Sequence, residues 1–116
     1  MERHEQYLET VRRIAGALPY VEEGISYGTP SFKVKGKFFA RLREDGETLV
    51  LKLDFETREF LLLADPNVYF ITDHYLNYPA ILVRLPLVGP DELREQFIHA
   101  WRCNAPKKVL AEYGAK

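Results

Sequence analysis

Residues that could do chemistry occur in three places along the chain. In DHYLNYP, residues 73–79, His74 follows Asp73 and precedes Tyr75 and Tyr78. An imidazole oriented by a carboxylate can act as a general base, because imidazoles titrate near ~6.5. No nucleophile is paired with this one, and Tyr75, Tyr78 and Pro79 suit packing where the chain leads into a strand, with hydroxyls bonding to loop backbone. The structural role is the expectation, and no catalytic residue is assigned. Farther on, Cys103 follows His99 by four positions, which sets both on one side of a helix. Such a pair could ligate a metal or activate a thiolate. Zinc, however, takes three or four protein ligands, His4 is remote, and neither HExxH nor CxxC occurs. A semi-buried thiol and a solvated imidazole are expected, with no metal and no cofactor.

The third place is SFKVKGKFFARLREDGETLVLKL, residues 31–53. Positive charge is concentrated there, in Lys33, Lys35, Lys37, Arg41, Arg43 and Lys52. Basic residues interleaved with aromatic ones can hold phosphates and stack bases. The loop YGTP, Tyr27–Pro30, lacks the phosphate-cradling glycine patterns and reads as a turn. Paired acids at Glu22-Glu23 and Glu44-Asp45 have no apolar shielding in the sequence that would raise a carboxyl pKa, so they read as solvated loop residues.

Elements with the right periods position these residues. Tyr7, Val11, Ile14 and Leu18 recur at helical spacing, predicting a helix from about Glu5 to Ala17 that stops near Pro19. The stretch VEEGISYGTP reads as a loop. Beyond it the period becomes two: Phe32 and Val34, then Phe38, Ala40 and Leu42, then Leu49, Leu51 and Leu53 alternate with polar residues and predict three strands. A two-residue turn at Asp45-Gly46 pairs Leu42 with Leu49 and Ala40 with Leu51 on one face. In the first hairpin, a three-residue loop Lys35-Gly36-Lys37 pairs Val34 with Phe38 and keeps the faces unmixed.

Asp54 suits a helix N-cap for a short helix from about Phe55 to Leu63, with Pro66 beyond its end. Val68–Thr72 and Ala80–Leu85 are rich in β-branched and aromatic residues and read as strands. Pro90, Asp91 and Glu92 open a last helix with the stripe Leu93, Phe97, Ala100 and Trp101, ended by Pro106. The order helix, three strands, helix, two strands, helix predicts a two-layer α+β domain. It has a five-stranded antiparallel sheet with helices on one face.

If the helices cover Phe32, Val34, Phe38, Leu42, Leu49 and Leu51, alternation puts Lys33, Phe39, Arg41, Arg43, Val50 and Lys52 on the opposite face. Arg84 joins them, with Lys35 and Lys37 at a hairpin tip. Solvated charges also belong on the open face of an antiparallel sheet with no ligand at all. Composition sets the wider frame. The chain has 116 residues, 47% hydrophobic and 28% charged, which suits one globular domain over residues 1–116. One cysteine excludes an intramolecular disulfide and a four-thiolate zinc site, in keeping with a reducing cytoplasm. The N-terminal stretch is polar and the apolar runs FLLLA and AILV are short, so no signal peptide, membrane span or membrane partner is expected. Net charge is −1, well below the balance of a dedicated nucleic-acid binder.

Taken together, YGTPSFKVKGKFFARL, then LVLKLDFETREFLLLADP running into YFITDHYLNYPAILVRL, then AWRCNAPKKVL resemble the MmcQ/YjbR family of small bacterial proteins, from about Ala17 to Leu110. The resemblance implies an α+β fold similar to type III secretion chaperones, no enzyme activity, and a DNA-binding label that rests on two wing-like hairpins. Of the family positions, Tyr27, Gly28, Pro30 and Phe32 match its first block and Lys37 and Lys52 its basic positions. His74, Tyr75, Tyr78 and Pro79 match its middle block, and Trp101, Pro106 and Lys107 its closing block. The tip Lys35-Gly36-Lys37 suits phosphate contact, whereas Glu44-Asp45-Gly46-Glu47 repels it. The leading expectation is a non-enzymatic domain binding DNA through Lys33, Lys35, Lys37, Arg41, Arg43 and Lys52. Two alternatives are a homodimer or protein-partner module with an exposed patch around Phe39, Val50 and Leu82, and a small-ligand pocket between YGTP and DHYLNYP lined by Tyr27, His74, Tyr75 and Tyr78.

Overall fold

The computed structural model describes residues 3–114, with side chains from residue 5 onward, so His4 lies outside the described side chains. In chain order the elements are α1 (Arg3–Gly16), β1 (Val21–Ser26), β2 (Thr29–Val34), β3 (Lys37–Leu42), β4 (Thr48–Lys52), α2 (Phe55–Ala64), β5 (Tyr69–Phe70), β6 (Ala80–Arg84), α3 (Pro90–Asn104) and α4 (Lys107–Gly114). A single 3₁₀ turn, Asp73–Tyr75, lies between β5 and β6. The strands form one antiparallel sheet in the order β1-β2-β3-β4-β6-β5.

The α+β architecture agrees with the sequence reading, but the sheet has six strands rather than five. VEEGIS, read as a loop, is the edge strand β1. Its residues are mostly exposed, with Ile25 at 78%, so no alternating apolar face marks it. Ladder hydrogen bonds to β2 hold it, through a Tyr27-Gly28 turn in which both residues have positive φ (54° and 79°), the conformation that follows the twist of paired strands. At the other edge, β5 is only Tyr69–Phe70, shorter than the predicted Val68–Thr72. Helix α4 was not predicted. It follows Pro106 and buries only Val109, a signal too short to show as a period.

The first hairpin also differs. Its turn is the two residues Lys35-Gly36, both at positive φ (51° and 82°), and Val34 pairs with Lys37. The faces do not mix as expected, because the register shifts at Phe32/Lys33 and leaves Phe39 without a partner across the ladder. This bulge turns Phe39 into the core, fully buried and edge-on to Phe97 with ring centroids 5.3 Å apart, and leaves Phe38 half-buried. The second hairpin keeps the predicted register, Leu42 with Leu49 and Ala40 with Leu51. Asp45 shapes its turn, accepting from the Glu47 and Thr48 N–H groups and the Thr48 hydroxyl.

The main core lies between one sheet face and the helices. Val11 and Ala15 of α1, Leu61 of α2, and Leu93, Phe97, Ala100 and Trp101 of α3 meet Phe32, Val34, Leu49, Leu51, Ile81 and Val83 there. Polar groups pin this layer. Trp101 Nε1 donates to the Pro19 carbonyl at 3.2 Å, and Tyr69 donates its hydroxyl to Glu92. Buried Asn104 donates to the carbonyls of Lys52 and Ala100 at 2.9 and 2.8 Å, joining α3 to the end of β4. The opposite sheet face is only partly open. A second small core of Val50, Tyr75, Ala80 and Leu82, flanked by Phe70 and Ile71, covers its β4–β6 side.

Candidate functional site

On that second face the sheet and two chain segments enclose a groove of about 850 Å³. Lys33, Phe38, Arg41 and Val50 come from the strands, Ser26 and Tyr27 from the β1–β2 hairpin, Glu44 from the next hairpin, and His74, Tyr75 and Tyr78 from the segment before β6. The sequence grouped Tyr27 with His74, Tyr75 and Tyr78, and these four residues do converge. They also share their cavity with two of the six predicted cations.

Packing sets the geometry of the walls. The Arg41 guanidinium donates to Thr29 Oγ1 and to the Leu42 carbonyl, both at 3.2 Å, and stands 5.3 Å from the centre of the Tyr27 ring. Tyr27 is 85% exposed, so this stacking places an open aromatic face beside a fixed cation. On the other wall His74 stands edge-on to Tyr75 at 4.9 Å, and Lys52, outside the groove lining, has its Nζ 5.9 Å from the Tyr78 ring centre. Partial burial, with Tyr75 and Tyr27 nearby, raises the Tyr78 pKa, so its phenol stays protonated. Among the described residues no hydrogen bond joins His74 to Asp73, and the oriented general base that DHYLNYP could have supplied is not assembled.

What holds DHYLNYP in place is Arg58, which the sequence reading passed over. Its side chain projects from α2 and is buried to 4% exposure. Nη1 donates to the carbonyls of Tyr75 (2.9 Å), Tyr78 (3.0 Å) and Ala80 (3.5 Å), and Nη2 donates to Leu76 (3.1 Å). Glu59 adds a carboxylate 3.2 Å from Nε. An irregular segment has carbonyls with no ladder partner, and one planar guanidinium with five donors satisfies several of them at once. The signal available in the sequence was a lone arginine inside an otherwise acidic stretch, residues 53–79.

The other predicted cations lie apart. Consecutive hairpins turn at opposite ends of an antiparallel sheet, so the Lys35-Gly36 turn is at the far end from Tyr27 and Glu44. Lys35 folds back over Tyr20, its Nζ 4.2 Å from the ring centre, and Lys37 is exposed beside it. Arg43 is half-buried at the end of β3, near Asp45. Arg84 lies 4.0 Å from the centre of the Phe70 ring and donates to the Asn67 carbonyl. The surface patch expected around Phe39, Val50 and Leu82 is absent, because all three are buried at 0–1% exposure: Phe39 through the bulge, Val50 and Leu82 beneath Tyr75.

A separate cluster forms where α2 begins beside α3. Asp54 caps α2, its Oδ2 accepting from the Thr57 N–H and hydroxyl at 2.8 Å each. Its Oδ1 lies 2.7 Å from His99 Nε2 and 3.6 Å from Cys103 Sγ. His99 and Cys103 share a helix side, as their spacing predicts, and the third group that the sequence did not offer them is Asp54. Partial burial works against the Asp54 charge. Hydrogen bonds from His99 and Thr57 outweigh it and hold the carboxyl well below the usual range. Cys103 is exposed rather than semi-buried, and His99 is engaged by Asp54 and Thr57 rather than merely solvated. Partial desolvation of the sulfur raises the Cys103 thiol, and the neighbouring Asp54 charge adds to this. His99 Nε2 faces Asp54, not the sulfur, so the cluster is not arranged as a Cys–His nucleophile.

Residues 16–103 match the family model described as YjbR. The chain belongs to the YjbR family. Its curated relatives include the uncharacterized proteins Mb2600 of Mycobacterium bovis and Rv2570 of Mycobacterium tuberculosis. Each is 30% identical to this chain over 120 aligned positions, covering 90% of this chain and 93% of its own length. The fold is similar to the crystal structure of Deinococcus radiodurans protein DR2400, described there by the family-model domain DUF419. The TM-score is 0.73 at 24% identity, covering 92% of this chain and 87% of that one. The YjbR match takes in the strands, the Arg58-anchored segment and all three residues of the Asp54 cluster. No described helix is long and apolar enough to cross a membrane.

Proposed function

We propose that this YjbR-family domain is a non-enzymatic binding module whose groove takes a nucleotide unit, either free or as part of a single strand of DNA. The observation that carries this reading is the fixed pair of Arg41 and Tyr27, which lines one groove together with Lys33, His74 and Tyr78. A nucleotide has a planar base that stacks on exposed rings and a phosphate that accepts hydrogen bonds from cations, and the groove offers both kinds of contact. Its volume falls within the range of small-ligand sites. A duplex fits less well. Bases in a duplex cannot reach the rings, Lys35 is turned onto Tyr20, and the hairpin tip next to the groove carries Glu44 and Glu47.

The test is titration of labelled single-stranded DNA, the matching duplex and a mononucleotide at several salt concentrations, with native protein and with Arg41→Ala and Tyr27→Ala. The single strand or the mononucleotide binds in preference to the duplex. Losing a charged hydrogen bond at Arg41 weakens that binding roughly tenfold. A steep salt dependence seen only with the oligonucleotide identifies a strand, and saturation by the mononucleotide alone identifies a free nucleotide. Absence of saturable binding by either at low salt, or binding indifferent to both substitutions, sinks the reading.

A further inference from the structure

The Asp54, His99 and Cys103 cluster lies apart from the groove and is not used by the binding proposed above. We propose that these three residues bind a divalent cation of the zinc class. Their ligand atoms, one oxygen, one nitrogen and one sulfur, all lie within 4.8 Å of one another. Tetrahedral zinc with bonds of about 2.0–2.3 Å separates a carboxylate oxygen from a thiolate sulfur by ~3.5 Å and from an imidazole nitrogen by ~3.3 Å. The Asp54 oxygen is 3.6 Å from the Cys103 sulfur and 2.7 Å from the His99 nitrogen. The oxygen–sulfur distance already fits. To admit the ion the nitrogen retreats from the oxygen by roughly half an ångström, and the nitrogen and sulfur, within 4.8 Å of each other, close toward ~3.5 Å.

The donor set and its setting support the same class. A mixed set with thiolate and imidazole favours zinc and its neighbours over magnesium or calcium, which prefer oxygen alone. The ligands come from two rigid places, the cap of α2 and successive turns of α3, and buried Asn104, next to Cys103, ties α3 to β4. Thr57 supports the carboxylate ligand from behind, holding Asp54 Oδ2 through its hydroxyl 2.8 Å away, and its 3.1 Å contact with His99 Nε2 is released when that nitrogen takes the ion. The side chains of His99 and Asp54 are 39% and 42% exposed, so an ion reaches them directly from solvent. On binding, the imidazole proton moves from Nε2 to Nδ1 and the thiol proton leaves to solvent as the sulfur–metal bond forms. Three protein ligands leave one tetrahedral position for water.

The experiment is titration of reduced, chelator-treated protein with Co²⁺, followed by absorption, with Zn²⁺ as competitor. One Co²⁺ binds per chain, giving tetrahedral d–d bands and a near-ultraviolet thiolate charge-transfer band that Zn²⁺ abolishes. Cys103→Ser removes the charge-transfer band, and His99→Gln weakens binding at least tenfold. Thr57→Val, which leaves all three ligands in place, weakens it roughly 10- to 100-fold. Circular dichroism of each variant establishes that it is folded. No saturable Co²⁺ binding by the native protein, or binding whose spectrum and affinity survive both Cys103→Ser and His99→Gln, overturns the proposal. Nucleotide binding is measured separately, so the two sites stand or fall independently.

Discussion

Helix α2 holds two distant parts of the chain with neighbouring side chains, and it does so in opposite ways. At its start, Asp54 and Thr57 meet His99 and Cys103 of α3 near the surface, with the Asp54 side chain 42% exposed. One turn later, Arg58 drives a charge into the interior and spreads it over carbonyls of the segment before β6. Water shares the work at the first site, so the charge there costs little to hold and is free to change partners. The Arg58 guanidinium is itself buried, so its charge is satisfied by these carbonyls rather than by bulk solvent. The exposed cluster is therefore suited to exchange of protons or ions, and the buried one to fixing a wall.

Removing the buried charge should have the largest effect. Arg58→Ala leaves several carbonyls and a vacated space in the interior, and it lowers the unfolding free energy by about 3–5 kcal/mol in chemical denaturation. Groove binding falls with it, because Tyr75 and Tyr78 lose their anchor. A loss below about 1 kcal/mol would mean that the segment holds its shape by packing alone.

An intermediate effect is expected at Asp54. Its folded pKa lies below the ordinary 3.8, so the stability it contributes is complete above that value and is lost as pH falls through it toward the folded pKa. In metal-free protein, the acid limb of the stability profile is steeper for the native chain than for Asp54→Asn, which keeps an acceptor at the cap. Asp54→Ala loses the cap as well, at about 1 kcal/mol. Coincident acid limbs for native protein and Asp54→Asn would show that another carboxylate governs the transition.

The smallest effect is expected at cations held by neither means. Lys35→Ala with Lys37→Ala changes stability by less than about 0.5 kcal/mol and leaves nucleotide affinity in the groove within about twofold. Binding that drops as far as it does in Arg41→Ala would move the contact surface to the hairpin tip.

Much of this molecule follows from the local pattern of the chain. Period-two alternation in residues 31–53 gave the second hairpin its register and put Lys33, Arg41, Val50 and Lys52 on one face, because successive strand residues must point to opposite sides. Asp54, Pro90 and the stripe from Leu93 to Trp101 marked two helices, because capping and helical spacing are properties of neighbouring residues. Tyr27, His74, Tyr75 and Tyr78 could be named from the sequence only as an alternative site on two separate loops, and the fold decided that they share one groove. Tertiary structure alone decided the rest. Strand β1 lacks a buried face and exists through its ladder with β2, and the bulge at Phe39 answers to the ring of Phe97. The meeting of Asp54 with His99 joins residues 45 positions apart, and Arg58 reaches carbonyls 17 to 22 positions away. Hydrogen bonds between distant groups leave no period in a sequence, since their partners are chosen by how the layers pack.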